Sequence, residues 1–241
     1  MATTPRTDDR RGETADAPGV TVEVWSDIAC PFCYIGKRML DEAVEDAVAD
    51  GPVEVVWRSF LLAPDAPARE EGDIHAVLAR RKKIPVTQAR RMAEGVSEMA
   101  RGVGLAYDMD SIVPVNTGDA HRVIQMGGAA GRAGDVAERL FAAYFSEGAD
   151  LSDHAVLAGL AAEAGLDAAA VADALAGGAH ADHVQADVAL ARTFGLSAVP
   201  AFVFDRALLV SGAQPPAVLR DAIRQARARV VAPDDGAAPA R

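Results

Sequence analysis

Cysteine is nearly absent from this chain: the only two in 241 residues are Cys30 and Cys33, separated by Pro31 and Phe32. A structural zinc site normally needs four ligands, and no second cysteine pair exists to complete one. The five histidines are scattered; His180 and His183 are spaced for one helix face but lie far away in sequence. Aromatic residues are also few, at 5%, while alanine is abundant, which favours close-packed helices. No apolar run approaches membrane-spanning length. Basic residues are outnumbered, with a net charge of −11, which argues against nucleic acid or an anionic membrane as partner. The stretch from Met1 to Gly19 is polar and lacks the apolar core of a secretory signal. The expected location is therefore the cytoplasm, where a dithiol is kept mostly reduced. Residues 1–19 and the Pro/Ala/Asp-rich tail 231–241 are expected to be disordered.

What the chain does have is a setting for its two cysteines. Val20, Val22 and Val24 alternate as one face of a strand just before them. Ile35, Met39, Leu40, Ala43, Val44 and Ala47 form one apolar helical stripe just after. Strand, Cys-x-x-Cys, helix is a context that points to redox chemistry. Pro31 suits the first helical position, having no N–H to lose. Cys30 then sits at the helix N-terminus, where unpaired N–H groups and the dipole favour thiolate over thiol. Cys33 lies one turn further in, where it can attack a mixed disulfide formed at Cys30. A stable disulfide and half of a metal site are the plainer alternatives.

The remaining pattern outlines a domain with an insertion. Val53, Val55 and Trp57 alternate along a second strand, completing a β-α-β unit with parallel strands. From about residue 63 to 178 nearly everything reads helical. Thr87 is a candidate cap for one helix and Asn116 or Thr117 for another; Asp153 and Asp167 are acidic cap candidates for two more. The basic run Arg80-Arg81-Lys82-Lys83 reads most simply as a solvated helix end, with a binding role as the alternative. A helix from Ala181 to Phe194 leads to Val199-Pro200 and a strand. Asp205-Arg206 turns that strand into a hairpin, without the glycine or asparagine usual there. A last amphipathic helix carries Val218, Leu219, Ile223 and Ala226. The expected class is α/β, with residues 20–62 and 179–230 in one domain and 63–178 as an all-helical insertion.

This order, with Cys-Pro-Phe-Cys after the first strand and Val199-Pro200 before the third, resembles the thioredoxin fold, and the helical insertion resembles its DsbA-like branch. The stretch Trp25 to Arg38 is similar to the active-site signature of the FrnE-like subgroup. So are Val56–Phe60, Asn116-Thr117 with Ala120-His121-Arg122, Ala143–Phe145 and Ser211–Pro215. The resemblance implies a thiol–disulfide oxidoreductase or isomerase. Cys30 would be the nucleophile, Cys33 the resolving thiol, and Pro200 a cis-proline that leaves the Val199 backbone free for substrate. Two departures stand out. Phe32 replaces a frequent tryptophan, and Val24 occupies the position of the carboxylate that thioredoxin and DsbA use as a proton relay. Asp27 is the nearest acid and competes for that role with a plain structural one.

The implied partners are protein or small-molecule disulfides, with a homodimer kept as an option. No cofactor is implied beyond the dithiol itself and a small-thiol co-substrate. In a second reading the chain is a small-thiol-dependent isomerase or transferase, with Asn116 and His121 contacting the thiol. In a third it is a binding module that holds unfolded chains in an apolar groove near Phe32 and Tyr34.

Overall fold

A computed structural model describes residues 18–231. The expectations for residues 1–17 and 232–241 lie outside them. Four strands form one mixed sheet in the order β2-β1-β3-β4: β1 (Val20–Ser26), β2 (Val53–Ser59), β3 (Ala201–Phe204) and β4 (Leu208–Ser211). β1 runs parallel to β2 and antiparallel to β3, which is antiparallel to β4. Helix α1 (Pro31–Ala47) makes the crossover from β1 to β2, ending in a short 3-10 turn at Val48–Asp50. It packs against α9 (Pro216–Val231), the last element.

The alternation along β1 sorts its side chains onto two cores. Val20, Val22 and Val24 join Ile35, Leu40 and Ala43 of α1 and Leu219 and Ile223 of α9 in the main core. Trp25, on the other face, packs with Ala191 and Leu196, near the end of α8 (Ala181–Thr193), and with Ala201 and Val203. A strand buried on both faces should be apolar throughout, yet Glu23 is also buried. Arg58 of β2 and Arg206 of the hairpin satisfy it, at 2.6 and 2.9 Å. Burial raises the Glu23 carboxyl, but its bonds to Arg206 and Arg58 outweigh that and hold it below its ordinary value.

The hairpin turn forms without glycine. Asp205 and Arg206 both adopt left-handed backbone, with φ of 46° and 55°, as a type I′ turn demands. Contacts to β1 hold them there. Asp205 Oδ1 accepts the Thr21 N–H at 2.8 Å, and Arg206 reaches Glu23.

Six helices lie between β2 and α8: α2 (Ile74–Lys82), α3 (Val86–Arg101), α4 (Gly118–Ala129), α5 (Ala133–Ser146), α6 (His154–Glu163) and α7 (Ala168–Ala176). Among the described residues the only β pairing in this segment is one isolated bridge, Arg69 with Val115. Asp153 and Asp167 cap α6 and α7 through their carboxylates, as their position before alanine-rich runs indicates. One cap expectation is corrected: α3 starts one residue earlier than Thr87, with Pro85 at its cap position. Thr117 does stand at the cap position of α4, where Asn116 Oδ1 rather than the Thr117 hydroxyl accepts the Gly118 N–H. Pro85 is pre-set for a helix entrance, which makes a hydroxyl cap dispensable there.

Candidate active site

Cys30 is the cap residue of α1, with extended backbone, and Pro31 follows it at the helix start. Its backbone is tied in on both sides: the Cys30 N–H donates to Asp27 O at 2.9 Å, and Cys30 O accepts from the Cys33 N–H at 3.0 Å. Both cysteines are free thiols. The expected contrast in exposure is slight, because Cys30 is 5% exposed and Cys33 2%. The helices packed over this end of the sheet cover both. What separates the two sulfurs is Cys33. Burial pushes its thiol well up, the neighbouring Cys30 pushes it further, and the Asp27 backbone and Ser26 hydroxyl oppose this.

The loop before β3 comes up against this helix end. The Val199–Pro200 peptide is cis. The Cys30 thiol lies 3.5 Å from the Val199 carbonyl oxygen and donates to it. The Val199 carbonyl is thus engaged by the thiol rather than free. Pro200 also rests against α1, and the close approach is possible because residue 36 has no side chain.

Asp27 is fully buried three residues before Cys30 and serves as a junction. Oδ1 accepts from the Ala29 N–H at 3.1 Å and the Thr117 hydroxyl at 2.7 Å, and Oδ2 accepts from the Leu62 N–H at 2.7 Å. Burial raises its carboxyl, yet His121, then the Leu62 and Thr117 bonds, outweigh burial and hold it below the ordinary carboxylate value. One side chain thereby joins the cysteine loop, the chain leaving β2 and the start of α4.

Asn116 and His121 stand elsewhere than the small-thiol reading requires. The Asn116 side chain donates to Pro64 O and Ala66 O, at 3.2 and 2.9 Å, and accepts from the Gly118 N–H. Buried His121 has Nε2 3.5 Å from Asp27 Oδ1, without an aligned hydrogen bond. Neither lines the cavity beside Cys30. The Asn116 amide is thereby spent on holding loops in place.

That cavity has a volume of about 320 Å³ and is bounded by Cys30, Pro31, the α2–α3 pair and α5. Phe32 is 41% exposed at its edge. Tyr34, expected beside Phe32 in an exposed groove, is instead buried. Its ring stacks on Phe141 of α5 at 5.0 Å and on Tyr107 at 6.0 Å. Its hydroxyl donates to Glu138 at 2.6 Å. Burial and Glu138 push the Tyr34 phenol up to about 12. Glu138 also pairs with Lys37, at 3.0 Å, and with Arg38. Tyr107 donates to the Pro31 carbonyl at 2.8 Å. Glu138 and Tyr107 thus brace the cysteine-bearing helix against the insertion. Neither is visible in the sequence, since each partner lies some 70 or more residues away. A helix start pressed against a second layer signals only that some such partner is needed.

Among the described residues no group of three or more His, Cys, Asp or Glu side chains gathers as a metal site. His180 and His183 do meet, Nδ1 to Nδ1, at 3.1 Å, without a third ligand. No helix there is long and apolar enough to cross a membrane.

A family model described as a DSBA-like thioredoxin domain matches residues 21–224. A crystal structure of a probable DsbA oxidoreductase from Streptomyces coelicolor is 36% identical, with a TM-score of 0.81, covering 86% of this chain and 89% of that one. The uncharacterized protein YwbO of Bacillus subtilis is 28% identical over 160 residues, 65% of this chain and 72% of its own. The cytosolic disulfide reductase DsbM of Pseudomonas aeruginosa shares the fold at 18% identity, with a TM-score of 0.56, covering 88% and 97% of the two chains.

Proposed function

The chain belongs to the DSBA-like thioredoxin domain family, and on that premise we propose that it is a thiol–disulfide oxidoreductase working through Cys30 and Cys33. The observation that carries this is the placement of Cys30. It caps α1 and touches the carbonyl of the cis-proline loop, with a second thiol one turn inside the same helix. The Trp25–Arg38 stretch supports the finer assignment to the FrnE-like subgroup.

In the reaction, the Cys30 thiolate attacks one sulfur of a substrate disulfide. A Cys30–substrate disulfide forms, and the other half leaves as a thiolate that takes up a proton. Cys33 then loses its proton and attacks the Cys30 sulfur, forming the Cys30–Cys33 disulfide and expelling the second thiolate. The protein dithiol is oxidised by two electrons and the substrate reduced by two. The reverse sequence oxidises a substrate dithiol. In a reducing compartment such as the cytoplasm the dithiol is the resting form, which favours the reducing direction.

Reduction of insulin by dithiothreitol, followed as turbidity, tests the reading. The wild type should accelerate it and Cys30→Ser should not. No acceleration by the reduced wild type would overturn the proposal.

A further inference from the structure

The cavity beside Cys30 has walls of two kinds. Val77, Met92, Val96, Ile112 and Phe145 make most of it apolar. Glu70, Arg81 and Lys82 also line it, the last two on the exposed end of α2. Glu70 accepts both Arg80, at 2.9 Å, and Arg81, so its charge is spent. Lys82 takes part in none of the ion pairs around the end of α2 among the described residues. The basic run at the end of α2 therefore leaves a net positive charge, Lys82 included, on the lining of an apolar cavity that also contains Cys30. On a chain of net charge −11 that is a local reversal of sign.

We propose that this cavity selects the substrate: a small disulfide with an apolar arm that ends in an anionic group, the arm lying among Val77, Val96 and Ile112 and the anion against Lys82. The inference rests on the redox reading of Cys30. A volume of about 320 Å³ lies at the small end of small-molecule sites, roughly 300–1,000 Å³. It suits a single arm rather than a stretch of polypeptide. The apolar wall offers few hydrogen bonds, so a polar peptide or sugar thiol would lose its water contacts there without replacement. A carboxylate left beside the exposed end of α2 keeps its hydration and gains the lysine.

The test uses pyridyl disulfides of mercaptohexanoic acid and of its amide, which differ in charge alone, and of mercaptoacetamide, which lacks the long arm. Cys30 attacks the alkyl-side sulfur of each and pyridine thiolate leaves, protonating to the absorbing thione. Cys33 then displaces the alkyl thiol, and the protein ends as its disulfide. The reduced wild type should react with the acid faster than with the amide by about threefold to fivefold, the reach of one exposed charge pair. The preference should shrink above about 0.1 M salt. The long amide should outpace the short one.

Lys82→Gln should lower the acid-to-amide ratio about twofold or more, the share of one exposed charge pair. Lys83→Gln, which removes the same charge from a residue outside the cavity lining, should keep it. Equal rates for acid and amide in the wild type, equal rates for the long and short amides, or an equal loss of preference in both variants would overturn the inference while leaving the redox reading intact. Absence of thione release from every probe, together with no insulin reduction, would overturn both.

Discussion

A methyl group on Gly36 would meet Pro200 Cγ at 2.9 Å and Phe202 Cζ at 3.2 Å, so the cis-proline loop and the cysteine-bearing helix touch at a residue without a side chain. Alanine in place of a helical glycine ordinarily stabilises by up to about 1 kcal/mol. At this site overpacking should win, at a cost of about 1–3 kcal/mol, and insulin reduction should fall as Pro200 is displaced from the Cys30 end. Gly95 lies inside α3 with nothing within 4 Å of a built Cβ, so Gly95→Ala should show the ordinary gain. Urea melts of both variants decide it; a more stable Gly36→Ala would contradict the packing argument.

The trapping pattern should be asymmetric. Cys33→Ser should accumulate mixed disulfides on Cys30, and Cys30→Ser should capture far fewer, since burial keeps the Cys33 thiol protonated. Non-reducing gels and mass spectrometry after alkylation show which sulfur is loaded. A small-thiol transferase would tolerate Cys33→Ser, and a holdase would tolerate both changes.

Asp27→Asn should cost about 3 kcal/mol at neutral pH, because it replaces a buried carboxylate that accepts three hydrogen bonds. The pH dependence has a definite sign. The folded carboxyl is held below its unfolded value, so its contribution is complete above about pH 4, the unfolded range. It is lost as pH falls through the lower folded value. Urea melts at neutral pH and near pH 3 should therefore show the gap between wild type and Asp27→Asn narrowing in acid. A gap that widens would assign the carboxyl the opposite shift.

Tyrosine ionisation should be silent in the folded protein at pH 10. All three phenols, Tyr34, Tyr107 and Tyr144, are pushed up chiefly by burial. The neutral phenols contribute stability that is complete below about pH 10 and is lost as pH rises through the folded values. Ultraviolet titration should show no tyrosinate near pH 10 in the native chain and a full step there in urea. Glu138→Gln should bring the Tyr34 step down, since the glutamate charge opposes the phenolate.

Glu138→Ala should also loosen the insertion from α1, since Tyr34, Lys37 and Arg38 lose a common partner. The expected loss is about 1–3 kcal/mol, with faster amide hydrogen exchange in the first turns of α1. Unchanged exchange there would mean the aromatic stack alone holds the two layers.

By itself the sequence determined whatever depends on neighbours a few residues apart. The alternation Val20-Val22-Val24 chose the buried face of β1, Pro31 started α1 with Cys30 at its cap, and Asp153 and Asp167 opened their helices. These are short-range choices, set by backbone geometry and spacing, and they suffice for the order of elements and the place of the dithiol. Tertiary structure alone decided what depends on packing across long loops. It made Asp27 a junction with Leu62, Thr117 and His121. It buried Tyr34 against Glu138, and it set the solvated end of α2, with Lys82, beside the cavity at Cys30. A side chain's identity states what bonds it can make, but which partner arrives is settled only when the layers close and each buried polar group must find one.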